Sequence, residues 1–443
     1  MLFHSILFAG PAAAAEIGEL DAPDFFGDLH LDEIVASITK GRDEYDLAPF
    51  FRAPLGEVDA VAYRHEVFGD LEDPALLGYV RSFAEQMRAM RHDLARAAKV
   101  YYRYERERWF LDAANVYCDA VGTLTRDLTF AQSHSRGFLA FRDYLSMYVA
   151  SPEFTALQRD SRRVKAGLDG ITYRLHIRGL RVRVSRDESE PDYSTEVLET
   201  FQKFQQRAPK DYPLEFSSWP DMNHVEAAIL DRVALLYPDV FASLDQFNGR
   251  HGGYLDKTIA RFDREVQFYV AYLEYVGRFR AAGLAFCQPA VSDRSKDIHG
   301  DAVFDLALAE LLVHERTAVV TNDFHLGGSE RIFVVSGPNS GGKTTFARTI
   351  GQLHQLARVG CPVPGSSATL FLVDQIFAHF EREEDLQNLT GKLEDDLRRI
   401  HTILERATPN SLVILNETFG STTLHDALFL NREVMEQIIE RDL

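Results

Sequence analysis

Cysteine is scarce in this chain: Cys118, Cys287 and Cys361 are the only three in 443 residues, far apart and outside any CxxC pair. That spacing excludes a disulfide framework and a four-ligand zinc site, and it points to a reducing, cytoplasmic setting. Long polar low-complexity tracts are also missing. With 46% hydrophobic and 26% charged residues the composition is that of a folded globular protein, long enough for two to four structural units. The opening stretch Met1–Ala15 is apolar, but it lacks the Lys or Arg of a signal-peptide start and is too short to span a bilayer. Neither a secretory leader nor a membrane anchor is expected there; a buried N-terminal strand is the alternative.

Positive charge is the other deficit. A net charge of −19 argues against indiscriminate nucleic-acid binding, because the average surface repels a polyanion. One stretch departs from this balance. From Arg159 to Arg186 nine Arg or Lys stand against two Asp, a net of +7 that leaves −26 for the rest of the chain. Any DNA contact is therefore expected to be local.

Along the chain, the first 165 residues read mainly as helices, with apolar positions at three- and four-residue spacing over Leu77–Tyr104 and Trp109–Asp127. The period then changes to two: Ile171, Tyr173, Leu175 and Ile177 alternate with polar residues, and so do Leu180, Val182 and Val184. A two-residue turn at Arg178 and Gly179 would pair Ile177 with Leu180, Leu175 with Val182 and Tyr173 with Val184. The other face of that hairpin carries Arg174, His176, Arg181 and Arg183. Opposed like charges destabilise a ladder, so either an anion lies over this row or the acidic run Asp187–Asp192 balances a solvated face. Met222–Phe247 and Tyr254–Arg280 read as two long amphipathic segments, and from about residue 284 short β-rich runs, including Thr317–Val320 and Ile332–Val335, alternate with helices.

The segment from Arg331 to Phe346 carries the most specific signal. A hydrophobic run leads into Gly337-Pro338-Asn339-Ser340-Gly341-Gly342-Lys343-Thr344-Thr345, which an amphipathic helix follows. Glycines let backbone N–H groups turn inward around phosphates, and the helix presents its positive end to them. In this pattern Lys343 reaches the β- and γ-phosphates of ATP, and the Thr344 hydroxyl reaches Mg²⁺. The later run Ser411–Glu417 reads as a strand ending in Asn416 and Glu417. Glu417 is the expected general base or water-orienting residue, while Asn416 offers an amide oxygen near Mg²⁺ but no charge, which predicts slow turnover. Phe324 or His325 could stack on adenine, with burial in the core as the alternative reading for an aromatic there.

From Gly337 onward the chain resembles the ATPase domain of the MutS family of DNA mismatch-repair proteins. Gly337–Thr345 is similar to that family's GPNxGGKST loop; Val363-Pro364, Asp374–Phe377, Glu384–Leu386 and Leu412–Thr423 resemble its later segments. Pro289, Thr321–Phe324 and Glu330-Arg331 resemble its lead-in to the loop. The resemblance implies a mainly α-helical lever and core region (1–165), a small β-hairpin clamp-like insertion (166–215) and long returning helices (216–283). An α/β P-loop ATPase domain of ABC type (284–443) would follow. It further implies an ATP-operated homodimeric clamp on DNA in which each subunit completes the other's site from a helix start, where this sequence has Gly391. The family's Phe-x-Glu wedge finds only Phe83-Ala84-Glu85, inside a helical pattern, so mismatch specificity is not carried over. The family continues with further strands after the position of Glu417, which implies a natural chain longer than this one. Two rival readings stand beside the clamp: an ATP-binding scaffold with little hydrolysis, and an ATPase acting on a protein partner instead of DNA.

Overall fold

The computed structural model describes residues 3–10, 21–179, 181–187, 222–338, 341–381 and 391–443. Among them helices predominate and the sheets are small. Short helices come first: α1 (Phe25–Asp28), α2 (Leu31–Thr39), α3 (Ala48–Arg52) and α4 (Val58–Asp70). Longer ones follow as α5 (Pro74–Lys99), α6 (Arg103–Phe130), α7 (Arg136–Val149) and α8 (Pro152–Asp169). The periodicity of α5 shows why: Leu76, Val80, Phe83, Met87 and Met90 fall on one stripe and all are buried. Phe83 is therefore a core residue in mid-helix, not an exposed wedge.

After α8 come strands β1 (Tyr173–Arg178) and β2 (Arg181–Arg186), then helices α9 (His224–Leu236), α10 (Pro238–His251) and α11 (Lys257–Ala281). The long amphipathic segment Met222–Phe247 is thus carried by two helices. Pro238 takes the first helical position of α10, where its missing N–H costs nothing, and Tyr237 ends α9 before it.

The remainder mixes both element types. In order it holds β3 (Phe286–Cys287), β4 (Ala290–Ser292), β5 (Ile298–Val303), α12 (Leu306–His314), β6 (Asn322–Leu326) and α13 (Lys343–Arg358). Then follow β7 (Val363–Pro364), β8 (Ser367–Phe371), β9 (Ile376–His379), α14 (Lys392–Arg406), β10 (Leu412–Leu415) and α15 (Leu424–Glu440). Four strands form one sheet in the order β4-β8-β5-β6, β3 pairs with β7, and β10 lies parallel to β9 with Leu412 opposite Ile376. Two expected strands are absent. Thr317–Val320 and Ile332–Val335 join no ladder, and Val334 is 85% exposed. For Ile332–Val335 the reason is geometric: it and Leu412–Leu415 both line a groove of about 440 Å³, and no described strand bridges it.

The compact units cut across chain order. One comprises Met1–Arg81, Asp127–Tyr144 and Asp256–Leu443; the other comprises Ser82–Arg126 and Leu145–Leu255. In the first, Phe268 of α11 sits at the centre of an aromatic core with Phe51 at 4.6 Å and Phe68 at 6.0 Å between ring centroids. Residues 3–10 join this core without forming a strand: Phe3, Ile6, Leu7 and Phe8 are buried, and the Glu265 carboxylate accepts from the Ser5 hydroxyl (2.7 Å) and the Ile6 N–H (3.0 Å). Arg64 is fully buried beside them, donating to the carbonyls of Leu7 (3.2 Å) and Val359 (2.7 Å). In the second unit Val233, Ala234 and Phe241 form a smaller core, against which Val184 packs.

Candidate nucleotide site and basic hairpin

Two glycines shape the start of α13. Gly342 has φ +85, a left-handed conformation that side-chain-bearing residues rarely adopt. A Cβ on Gly341 would stand 2.9 Å from the Pro338 carbonyl oxygen, so only glycine admits this close backbone approach. The first N–H groups of the 16-residue helix α13 open onto this turn at the positive end of its dipole. Lys343 folds its ammonium back over the loop, donating to the carbonyls of Gly337 (3.1 Å) and Pro338 (3.0 Å). Thr345 lies in the same first turn, its carbonyl accepting from Thr349. Asn339 and Ser340 lie outside the described residues.

Thr344 makes the contact that joins loop and strand: its hydroxyl donates to the Asn416 carboxamide oxygen at 3.2 Å across 72 residues of sequence. Asn416 is set by the ladder, its N–H donating to the His379 carbonyl (2.9 Å) one step beyond the β9–β10 pairing. Two adjacent neutral oxygens suit a hard cation that retains most of its water and takes few protein ligands, and the glycine turn suits a polyphosphate; the residues fit Mg²⁺ and ATP.

Beyond Asn416 the backbone leaves ordinary space. Glu417 has φ +50 and Phe419 φ +60, both unusual for residues with side chains. Phe419 is fully buried with Ile400, Leu404, Val434 and Ile438, which anchors the turn, while Glu417 remains exposed. Thr418 donates its hydroxyl to Asn431 of α15. Sequence reading missed His379, which is fully buried with Nε2 3.2 Å from Asp396 Oδ1 of α14; burial first, then the neighbouring Arg399, holds its pKa below the ordinary value. Gly391 is the N-cap of α14, with no side chain to cap the helix. Phe324 is buried and His325 exposed, so Phe324 is a core residue.

The hairpin forms with a different register from the one expected. Ile177 faces Val182, Leu175 faces Val184 and Tyr173 faces Arg186, and Arg178 faces Arg181 across a turn that holds Gly179 at φ +57. The positive φ of Gly179 starts the turn one residue later than expected, moving each partner by two positions and keeping the two faces intact. Leu180 itself lies outside the described residues. His176 opposes Arg183, Arg174 pairs with Asp187 at 2.5 Å, and Arg178 joins the row of charge. The hairpin base is tethered by Arg186, which donates to the Leu236 carbonyl (3.0 Å) and lies over the Tyr237 ring. Its tip is exposed on both faces, with Ile177 at 70%.

Residues 333–442 match the family model for MutS domain V. The match places a MutS domain V in this part of the chain. Over 164 residues the chain is 35% identical to a DNA mismatch repair protein MutS of Erythrobacter litoralis, covering 36% of this chain and 18% of that protein. A MutS of Rickettsia bellii is 35% identical over 132 residues, 30% of this chain and 15% of its own length. A DNA mismatch repair protein Msh3 of Mus musculus is 29% identical over 154 residues, 35% of this chain and 14% of its own length. The matched region thus spans less than a fifth of these curated relatives. The MutS domain V match takes in Lys343, Thr344, Gly391, Asn416 and Glu417 and stops short of the basic hairpin. Among the described residues no helix is long and apolar enough to cross a membrane.

Proposed function

We propose that this chain is a MutS-like, ATP-dependent DNA-binding protein that works as a homodimeric clamp or structure sensor in DNA repair or recombination, hydrolysing ATP slowly to ADP and phosphate. The observation that carries the reading is the 3.2 Å contact between Thr344 and Asn416 at the mouth of the glycine turn. On this reading the N–H groups of Gly341 and Gly342 cradle phosphate, and Lys343 exchanges the carbonyls of Gly337 and Pro338 for β- and γ-phosphate oxygens. The Thr344 hydroxyl and the Asn416 amide oxygen would hold Mg²⁺, which would supply positive charge beside the phosphates. Glu417, exposed beside them, orients and deprotonates the attacking water. The neutral Asn416 leaves the metal site weaker by one charge than a carboxylate would, hence the slow turnover. Gly391, at the start of α14, meets the partner subunit's nucleotide. Arg174, His176, Arg181 and Arg183 contact DNA through its backbone, which confers affinity without sequence reading.

Steady-state ATP hydrolysis with and without duplex DNA tests this. Glu417→Gln is expected to reduce hydrolysis by about a hundredfold or more while nucleotide binding persists, as for loss of a general base. Hydrolysis equal in wild type and variant would overturn the assignment of Glu417, and its absence from both would favour an ATP-binding scaffold, the reading that the neutral Asn416 also supports.

A further inference from the structure

A second cavity in the unit that carries the phosphate loop is lined by none of the loop residues. It measures about 640 Å³ and is bounded by α1, the β9 strand, the end of α13 and one face of α14. Four guanidinium groups line it, from Arg358, Arg398, Arg399 and Arg406, and Asp24 is the one acidic residue in its described lining. In a chain of net charge −19 such a concentration of cations is out of keeping with the surface.

The local partners do not neutralise it. Arg399 is committed to Asp28 at 2.7 Å, and Arg398 has a surface pair with Glu394 at 2.6 Å, of the kind that contributes little. Arg406 is exposed and lies over the Phe377 ring, with its charge unopposed among the described residues. Arg358 is 5% exposed; its Nη2 donates to the Asp374 carbonyl, and among the described residues its buried Nε has no acceptor. A desolvated guanidinium with an orphan donor is costly unless an anion approaches it. Burial pulls its pKa down to about 10, so it stays charged at neutral pH. Beside these cations the wall is apolar, with Phe25, Ile376 and Phe377.

We propose that this cleft binds a small phosphate ester of nucleotide size, its oxygens held by Arg358, Arg398 and Arg406 and its planar part lying against Phe25 and Phe377. Guanidinium forks match phosphate oxygens in pairs, and the volume falls in the range of small-molecule sites. Concavity favours a small ligand over an extended acidic peptide. The occupant would bridge β9, whose last residue positions Asn416, to α14, which begins at Gly391. The inference does not rest on ATP hydrolysis at the loop.

Titration calorimetry of the full chain with inorganic pyrophosphate and with ADP tests the site. Lys343→Ala removes the loop's cation, so binding that remains in it reports the cleft. Adding Arg398→Gln and Arg406→Gln, both exposed and expected to leave the melting temperature unchanged, should weaken that remaining binding about tenfold or more. Pyrophosphate binding that vanishes in Lys343→Ala, or persists unchanged after the arginine substitutions, would overturn the proposal. So would a hexaglutamate peptide that binds the cleft when pyrophosphate does not.

Discussion

Glu265 shows how one buried carboxylate holds a chain terminus. It accepts from Ser5 and from the Ile6 backbone, yet burial outweighs these bonds and pushes its pKa up to about 7. A carboxyl group whose folded pKa exceeds its unfolded value contributes stability that is whole below about pH 4.5 and is lost as pH rises through about 7. The shift corresponds to roughly 3 kcal/mol. Glu265→Gln keeps an acceptor without the charge, so urea denaturation is expected to show the variant near wild type at pH 4.5 and more stable than wild type at pH 8. Equal stabilities at pH 8 would exclude this account. The glycine turn at Gly341 and Gly342 was legible in the sequence because it depends on local backbone alone. The role of Arg358 was not, since nothing in its neighbours Ala357 and Val359 tells that its side chain is buried without an acceptor for Nε among the described residues.

At the scale of elements, the hairpin is where period and structure agree and register does not. Alternation alone separates the apolar face from the charged one, but the partner of each residue depends on where the turn begins, and Gly179 at φ +57 decides that. The charged face keeps Arg174, His176, Arg181 and Arg183 either way, and the later turn adds Arg178 to it. If this row holds a DNA backbone, Arg181→Gln with Arg183→Gln is expected to lower the slope of log affinity against log salt by about 2, near 0.9 for each phosphate no longer neutralised. Fluorescence anisotropy with labelled duplex across a salt series measures it; an unchanged slope would move the DNA-binding surface elsewhere. Helix existence was legible from apolar spacing over the first 165 residues and over Tyr254–Arg280, whereas the break at Pro238 shows that a continuous stripe can be carried by two helices. The run Ile332–Val335 has the composition of a strand but no described neighbour to pair with, and pairing is what makes a strand.

The unit that carries the phosphate loop is assembled from distant parts of the chain. The second half of α13 is buried all round from Thr349 to Arg358. Several of its polar groups pair with backbone far away: Gln352 donates to Leu29 (3.0 Å), Gln355 to Phe51 (2.9 Å), and the Arg358 carbonyl accepts from Leu55 (2.8 Å). A fragment covering 284–443 alone would leave these groups without their partners. It is expected to lack a cooperative thermal transition that the full chain shows by circular dichroism; a sharp transition in the fragment would mean that the N-terminal helices are dispensable to its core. The sequence by itself determined the glycine turn of the loop, the helical character of most segments and the two faces of the hairpin, because each depends on residues within a few positions of one another. Tertiary structure alone decided that α13 is buried on its polar side and that four arginines share one cleft. Those facts depend on which distant segments share a core, and local propensity carries no information about that.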